Sequence, residues 1–136
     1  MILVDLNVVL DVVQKREPHF RASGAVLEHI VRKQEMGALA AHLVTTLHYL
    51  IERSAGSAAA GDAVDWLLRN FSVASIGQSE LLRARVLGRS DFEDAVVVAS
   101  AESAGCRMIV TRNIRDFRYS PVPAVTPEEY LLTIAS

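Results

Sequence analysis

The sequence predicts an α/β fold in which helices cover both faces of a central parallel sheet, a three-layer α/β/α sandwich. Short apolar runs alternate with longer helical patterns along the whole chain, and this alternation is typical of parallel strands joined by helices. The 136 residues are 51% hydrophobic and 22% charged, which is the composition of one globular domain. We therefore expect residues 1–136 to form a single domain that binds its ligand at the carboxyl ends of the strands.

The first part of the chain predicts two strands, each followed by a helix. Residues 2–5 form a short apolar run that ends in a carboxylate, and the helical pattern of residues 8–13 follows it. Residues 18–31 space their apolar side chains by three and four, as one face of a helix does. Residues 38–45 are small and apolar with β-branched residues at the end, which predicts a buried strand. A helix carrying Leu47, Leu50 and Ile51 comes next.

The second part continues the alternation. Residues 94–104 are ambiguous because their valines favour a strand, yet the length of the segment and the following Gly105 favour a buried helix. Thr126 begins a capping box with Pro127 at the first helical position, which predicts a short final helix. The other predicted elements are an Ala-rich helix at 58–71, a strand at 72–76, a helix at 78–87 and a strand at 107–111.

The charge pattern excludes a protein that binds nucleic acid through a broad basic surface, because the formal net charge is −2. Twelve of the 14 basic residues are arginine, whose planar fork matches phosphate oxygens. Two local clusters are candidate binding sites for a short strand, although arginine-rich surfaces also occur without that role. The clusters are Arg83, Arg85 and Arg89, and Arg112, Arg115 and Arg118.

Neither the first residues of the chain nor its single cysteine indicates secretion. The first residues lack the features of a signal peptide, and charges interrupt every apolar run well before the ~18 residues of a membrane span. We therefore expect a cytoplasmic protein without a membrane segment. The single Cys106 lies in a predicted strand and is expected to be a buried structural thiol. The four histidines show no zinc-ligand spacing, so we assign them to packing or the surface.

Carboxylates follow two of the predicted strands and open the buried helix. Asp5 ends the first strand, Asp116 comes shortly after the last one, and Asp91 and Asp94 lie at the start of the helix. These positions converge on one edge of a parallel sheet, where like charges recruit a cation. Oxygen ligands favour Mg²⁺ or Mn²⁺ over zinc, and such a metal suits phosphodiester hydrolysis. Asp91 and Asp94 also fit the simpler role of helix caps, and Asp116 fits a turn.

Four segments, read together, resemble the PIN domain family, and particularly its bacterial VapC-like subgroup with an Asp-Phe-Glu-Asp-Ala motif. The segments are residues 4–11, 46–50, 91–95 and 110–117. The resemblance implies a Mg²⁺- or Mn²⁺-dependent ribonuclease, often a homodimer, and for a toxin a small antitoxin partner. It implies metal binding by Asp5 and Asp94, with Asp91 and Asp116 completing the catalytic acids. Supporting roles fall to Asn7, Thr46, Thr111 and Asn113, and RNA contacts to Arg112 and Arg115.

The sequence departs from the family pattern at two positions. Thr46 stands where the family usually has Glu, and Asn113 stands where many members have Asp. A neutral oxygen in place of a charged ligand weakens metal binding, so the alternative function is an inactive PIN fold that binds RNA or protein. A phosphatase of the haloacid dehalogenase type also begins with an acid after a strand, but it needs a second Asp where this chain has Asn7, and a lysine that the later motifs lack.

Overall fold

The structure, a computed structural model, describes residues 1–88 and 91–135. The described residues form five strands, seven α-helices and one 3-10 helix. In chain order they are β1 (Ile2–Val4), α1 (Leu6–Val13), α2 (Phe20–Val31), β2 (Gly37–Ala40), α3 (Ala41–Ala55), α4 (Ser57–Asn70), β3 (Ser72–Ala74), α5 (Gln78–Leu87), α6 (Phe92–Ser103), β4 (Met108–Val110), the 3-10 helix (Ile114–Phe117), β5 (Ala124–Val125) and α7 (Pro127–Ile134).

The sheet is parallel throughout, with the strand order β3-β2-β1-β4-β5. Side chains of β1 alternate between its two faces, as the two-residue period of a strand requires. Ile2 and Val4 join the core formed with α1, α2, α3, α4 and α7, whereas Leu3 joins the core formed with α6. Helices therefore cover both faces, and the predicted α/β/α sandwich is confirmed.

The boundary between β2 and α3 differs from the prediction. The strand ends at Ala40, and residues 41–45, which the pattern predicted as strand, form the first turn of α3. Leu43, Leu47 and Ile51 are all buried on one side of this helix, and their spacing of four fits a helical stripe. Packing of this stripe against the sheet therefore outweighs the local strand preference of the β-branched residues.

Two short elements were not predicted, and the ambiguous segment is helical. The two-residue strand β5 extends the sheet beside β4, and the 3-10 helix follows β4; both are too short to leave a periodic pattern. In α6, every residue from Ala95 to Ala101 is buried, which explains why its sequence shows no polar face. Cys106 is 7% exposed, as expected for a buried thiol. Across the described ranges, no helix has both the length and the apolar content needed to cross a membrane.

Glu35 contacts three other segments at the edge of the sheet opposite the carboxyl ends of the strands. Arg107, just before β4, donates to both of its carboxylate oxygens at 2.9 and 2.5 Å, and the hydroxyl of Tyr130 in α7 donates at 3.0 Å. The terminal amine of Met1 lies 3.7 Å away. These contacts, led by the hydrogen bonds from Arg107, lower the pKa of Glu35 to about 2.

We expect Glu35→Gln to lower the free energy of unfolding by about 1–2 kcal/mol at pH 7, since half-exposed Arg107 is screened by solvent. The pKa of Glu35 is lower in the folded state, so its stabilisation is present above pH 4.5 and is lost as the pH falls toward 2. Urea unfolding at pH 7 and pH 3 measures the difference. Glu28→Gln, which removes an exposed ion pair with Arg32, is the control; an undiminished effect of Glu35→Gln at pH 3 would contradict the prediction.

Candidate metal and active site

Asp5 lies at the carboxyl end of the central strand β1 and begins α1. Its extended backbone places Oδ1 2.8 Å from the amide nitrogen of Leu6, which donates to it as at a helix N-cap. Its own amide donates to the carbonyl of Val110 in β4 at 2.9 Å. The residue is 7% exposed, and this burial raises the pKa of Asp5 despite its hydrogen bonds. An isolated carboxylate is costly at such a position unless a cation compensates it.

Thr111 and Asn7 hold the second oxygen of Asp5. The hydroxyl of fully buried Thr111 donates to Oδ2 at 2.8 Å, and the amide of Asn7 lies 3.4 Å from both Oδ2 and the Thr111 hydroxyl. The backbone amide of Asn113 donates to the same hydroxyl at 3.0 Å. These contacts join β1, α1 and the segment after β4, and they fix the rotamer of Asp5.

Asp94 lies in the first turn of α6, in the electrostatic field of the other predicted acids. Burial raises the pKa of Asp94 to about 7, and the charges of Asp91, Asp5, Asp116 and Glu93 contribute in that order. The structure therefore brings together the four carboxylates that the sequence singled out. The side chain of Glu93 is exposed, and its charge makes the smallest of these contributions.

The two outer acids combine a structural role with their position in the cluster. Asp91 caps α6 by accepting from the amide of Asp94 at 3.1 Å, which confirms the cap, and its charge helps to raise the pKa of Asp94. Asp116 is exposed on the 3-10 helix, and its amide donates to the carbonyl of Asn113 at 3.0 Å. Asn113 and Arg115 are exposed on the same segment. This segment thus forms one wall beside the acidic cluster.

Arg112 links the segment after β4 to α1. Its backbone amide donates to Oδ1 of Asn7 at 3.3 Å, and its Nε donates to Oδ2 of Asp11 at 2.7 Å. Ser23 donates to the same oxygen at 2.9 Å. The positive charge of Arg112 lowers the pKa of Asp5 and so opposes the larger effect of burial, which raises it. Sequence reasoning missed Asp11, and the available signal was a charged residue within an otherwise apolar stretch.

Thr46 does not offer its hydroxyl to the acidic cluster. The hydroxyl donates at 3.3 Å to the carbonyl of His42, one turn earlier in α3. The ring of His42 is 3.2 Å, through Nε2, from the carbonyl of Glu93 and so connects α3 to the start of α6. We had assigned His42 to packing or the surface, and a lone histidine carries no sequence signal for this contact. Glu52, further along α3, is exposed.

Among the described residues of the two arginine clusters, Arg112 lies near the acids, since its charge lowers the pKa of Asp5. Arg83 forms a two-point ion pair with Glu102 at 2.8 and 3.2 Å, which holds α5 against α6. Arg89 lies outside the described residues. In the earlier cluster, Arg83 therefore contributes to the packing of α5 against α6, whereas Arg112 of the later cluster lies beside the acidic cluster.

The donor set of the cluster suits a hard divalent cation. Asp5 and Asp94 supply carboxylates whose mutual repulsion a cation would relieve, and the side chains of Asn7 and Thr111 lie against Asp5. Within residues 1–88 and 91–135, no three His, Cys, Asp or Glu side chains are arranged to hold an ion by themselves. Mg²⁺ commonly binds through one or two carboxylates and takes its remaining ligands from water and phosphate, so the residues present fit such an ion.

Comparisons with known proteins agree with this geometry. A family model described as PIN domain matches residues 1–115. The chain is similar to a toxin–antitoxin complex from Klebsiella pneumoniae, with 22% identity, 93% of this chain and 98% of that chain covered, and a TM-score of 0.73. It is also similar to VapBC2 from Rickettsia felis bound to a DNA fragment from their promoter, with 17% identity, coverage of 93% and 98%, and a TM-score of 0.72.

A further similar structure is that of VapC20 from Mycobacterium tuberculosis, a Sarcin-Ricin loop cleaving toxin, with 18% identity, coverage of 80% and 87%, and a TM-score of 0.63. None of the curated proteins compared with the chain matches it significantly. The resemblance to VapC-type toxins is confirmed in the fold, and the family match extends over most of the sequence. The chain therefore belongs to the PIN domain family.

Proposed function

We propose that this chain, as one domain of residues 1–136, is a Mg²⁺- or Mn²⁺-dependent endoribonuclease that hydrolyses RNA phosphodiester bonds. The observation that carries the proposal is the charge cluster at the carboxyl end of the sheet, where Asp94 has a pKa of about 7 because it is buried among other acids. Carboxylates that lie this close repel one another, and a bound divalent cation relieves that repulsion. Membership of the PIN domain family supports the same chemistry.

In the proposed mechanism, Asp5 and Asp94 would hold the ion. The bound ion would activate water and stabilise the charge that builds on the phosphoryl group. Thr111 and Asn7 keep Asp5 in one orientation by donating to its Oδ2, so little reorganisation is needed when substrate arrives. Asp91 and Asp116 add negative potential that favours cation binding, and Arg112 and Arg115 supply positive charge for the RNA strand.

We also propose that the chain acts in the cytoplasm as a homodimer and as the toxin of a toxin–antitoxin pair. The support is the fold shared with toxin–antitoxin complexes such as that from Klebsiella pneumoniae. A small antitoxin that covers the acidic pocket would then restrain the activity. Co-purification with the product of a neighbouring gene tests the toxin assignment, and the mass of the purified protein in solution tests the homodimer.

We expect Asp5→Asn to reduce Mn²⁺-dependent cleavage of a fluorescent RNA by about 100-fold or more, because it removes a charged metal ligand. Asn is as good a helix N-cap as Asp, so the variant should stay folded. Calorimetric titration with Mn²⁺ should show the matching loss of binding. Asp62→Asn, an exposed acid in α4, is the control; equal activity of Asp5→Asn and wild type would overturn the assignment.

The second candidate function is an RNA- or protein-binding module that does not cut. The observation that favours it is Thr46, whose hydroxyl is bound to its own helix at the position where the family usually has a carboxylate. Asn113 adds a second neutral residue. If wild-type protein binds RNA but neither binds Mn²⁺ nor cleaves RNA at millimolar metal, the binding module replaces the nuclease.

Thr46→Glu is expected to increase Mn²⁺ affinity about 10-fold, because it restores a charged oxygen ligand near the cluster. Thr46 is partly buried on α3, whereas its neighbour Thr45 is exposed. Thr45→Glu is therefore a matched control that adds the same charge on another side of the helix. Calorimetry compares the two variants, and an equal gain for both would mean that only general charge, not a ligand at position 46, affects metal binding.

A further inference from the structure

We propose that Asp11 is a positioning residue that aims the guanidinium of Arg112 at a phosphate of the bound RNA strand, beside the acidic pocket. The inference rests on the proposed function and deepens it, since it names the side chain pair that receives the substrate backbone. Arg112 would contact the RNA, and Asp11 would act only through Arg112.

Asp11 is unusual because it is a fully buried carboxylate in the middle of α1. It is 0% exposed, and one of its oxygens, Oδ2, accepts from both Arg112 and Ser23 at 2.7 and 2.9 Å. The other oxygen, Oδ1, is buried with no hydrogen-bond partner in the described part of the chain. Such a pair is expected to add little net stability, because desolvating two charges costs about as much free energy as their attraction contributes. Stabilisation of the fold therefore does not by itself explain the pair.

Arg112 uses only part of its guanidinium on Asp11. Its Nε makes the contact, and among the described residues no group accepts from its two terminal nitrogens. The side chain is 23% exposed, so these nitrogens can reach a ligand. Their end-on fork matches two oxygens of one phosphate. Anchoring through Nε removes much of the rotational freedom that a free surface arginine loses on binding.

The negative charge around Arg112 explains why a guanidinium held in one position would favour RNA binding here. Asp5, Asp91, Asp94, Asp116 and Glu93 all contribute to one negative field, and that field repels an RNA backbone even after one divalent ion is bound. Arg112 is close enough to offset the charge at Asp5. A mobile arginine would instead pair with the nearest pocket acid, whereas Asp11 holds Arg112 by its inner nitrogen and leaves the outer fork available.

The test measures binding of a fluorescein-labelled single-stranded RNA of 12 nucleotides by anisotropy, in EDTA so that metal-dependent cutting does not occur. Arg112→Gln should raise Kd about 10-fold and reduce the slope of log K against log salt by about 0.7, the loss of one phosphate contact. Asp11→Asn should raise Kd about 5-fold. Because Asp11 acts through Arg112, the double variant should bind no more weakly than Arg112→Gln alone.

The controls separate positioning from folding and from charge. Arg21→Gln removes one exposed arginine of α2 and should leave Kd and the salt slope nearly unchanged. Thermal unfolding of each variant, with binding measured well below its midpoint, excludes loss of fold as the cause. An Arg112→Gln variant that behaves like Arg21→Gln, or additive effects of the Asp11 and Arg112 substitutions, would overturn the inference.

The outcomes also distinguish this inference from the proposed function. If wild-type protein does not cut RNA with Mn²⁺ but binding depends on Arg112 as described, the nuclease assignment fails and the phosphate site stands. If wild-type protein cuts RNA and the Arg112 variants bind it normally, the phosphate site fails and the nuclease assignment stands.

Discussion

Replacing Asp94 by Asn is expected to stabilise the metal-free protein at pH 8 by about 1–2 kcal/mol while it reduces Mn²⁺-dependent cleavage of RNA by about 100-fold or more. Burial and the neighbouring acids raise the pKa of Asp94 to about 7 from 3.8. The folded state therefore binds more protons than the unfolded state between these values. The contribution of Asp94 to the free energy of unfolding therefore falls as the pH rises from 3.8 to about 7. Asn does not titrate, so the variant does not lose stability in this way.

Urea unfolding in EDTA at pH 8, 6 and 4 measures this prediction. The stability difference between Asp94→Asn and wild type should be largest at pH 8 and should shrink toward pH 4, where Asp94 is protonated in the folded protein. If the proposed metal site exists, Mn²⁺ should stabilise wild type, because a ligand that binds only the folded state raises the free energy of unfolding, and it should stabilise the variant much less. Asp62→Asn is the control for loss of an exposed acid. A variant that is less stable than wild type at pH 8 would show that Asp94 is not under repulsion.

The fold could be predicted because the sequence carries its strands and helices as local patterns. Ile2, Leu3 and Val4 form a continuous apolar run, as a central parallel strand buried on both faces should. Asp5 was the most informative site residue for the same reason: a carboxylate directly after such a strand must lie at the carboxyl edge of the sheet. Alternation of strands and helices then places the acids of α6 and of the 3-10 segment at the same edge.

What could not be predicted depends on contacts between residues that are distant in sequence. Asp11 and Arg112 are 101 positions apart, and neither shows a local pattern that indicates its partner. His42 contacts a backbone carbonyl in α6, and such a contact places no requirement on the sequence of α6. The end of β2 was misplaced because the buried stripe of α3, which decides it, is visible only once the sheet is in position.

A second large effect is expected at the buried pair, where Arg112→Met should lower the free energy of unfolding by about 2–3 kcal/mol at pH 7. The substitution leaves the carboxylate of Asp11, which is 0% exposed, with only the hydroxyl of Ser23 as a donor, and an uncompensated buried charge is costly. Partial exposure of the arginine keeps the expected loss at the lower end for such pairs. Urea unfolding measures it, with Arg115→Met, an exposed neighbour, as the control.

The double variant Asp11→Asn with Arg112→Met tells whether the loss comes from the charge or from packing. Asn fills nearly the same volume as Asp without its charge, so we expect the double variant to recover to within about 1 kcal/mol of wild type. If it does, the pair adds little net stability, and its role is better explained by the orientation of Arg112 toward RNA. If the double variant is as unstable as Arg112→Met alone, the guanidinium stabilises the junction of α1 and the segment after β4 through its packing, and the buried charge of Asp11 does not explain the loss.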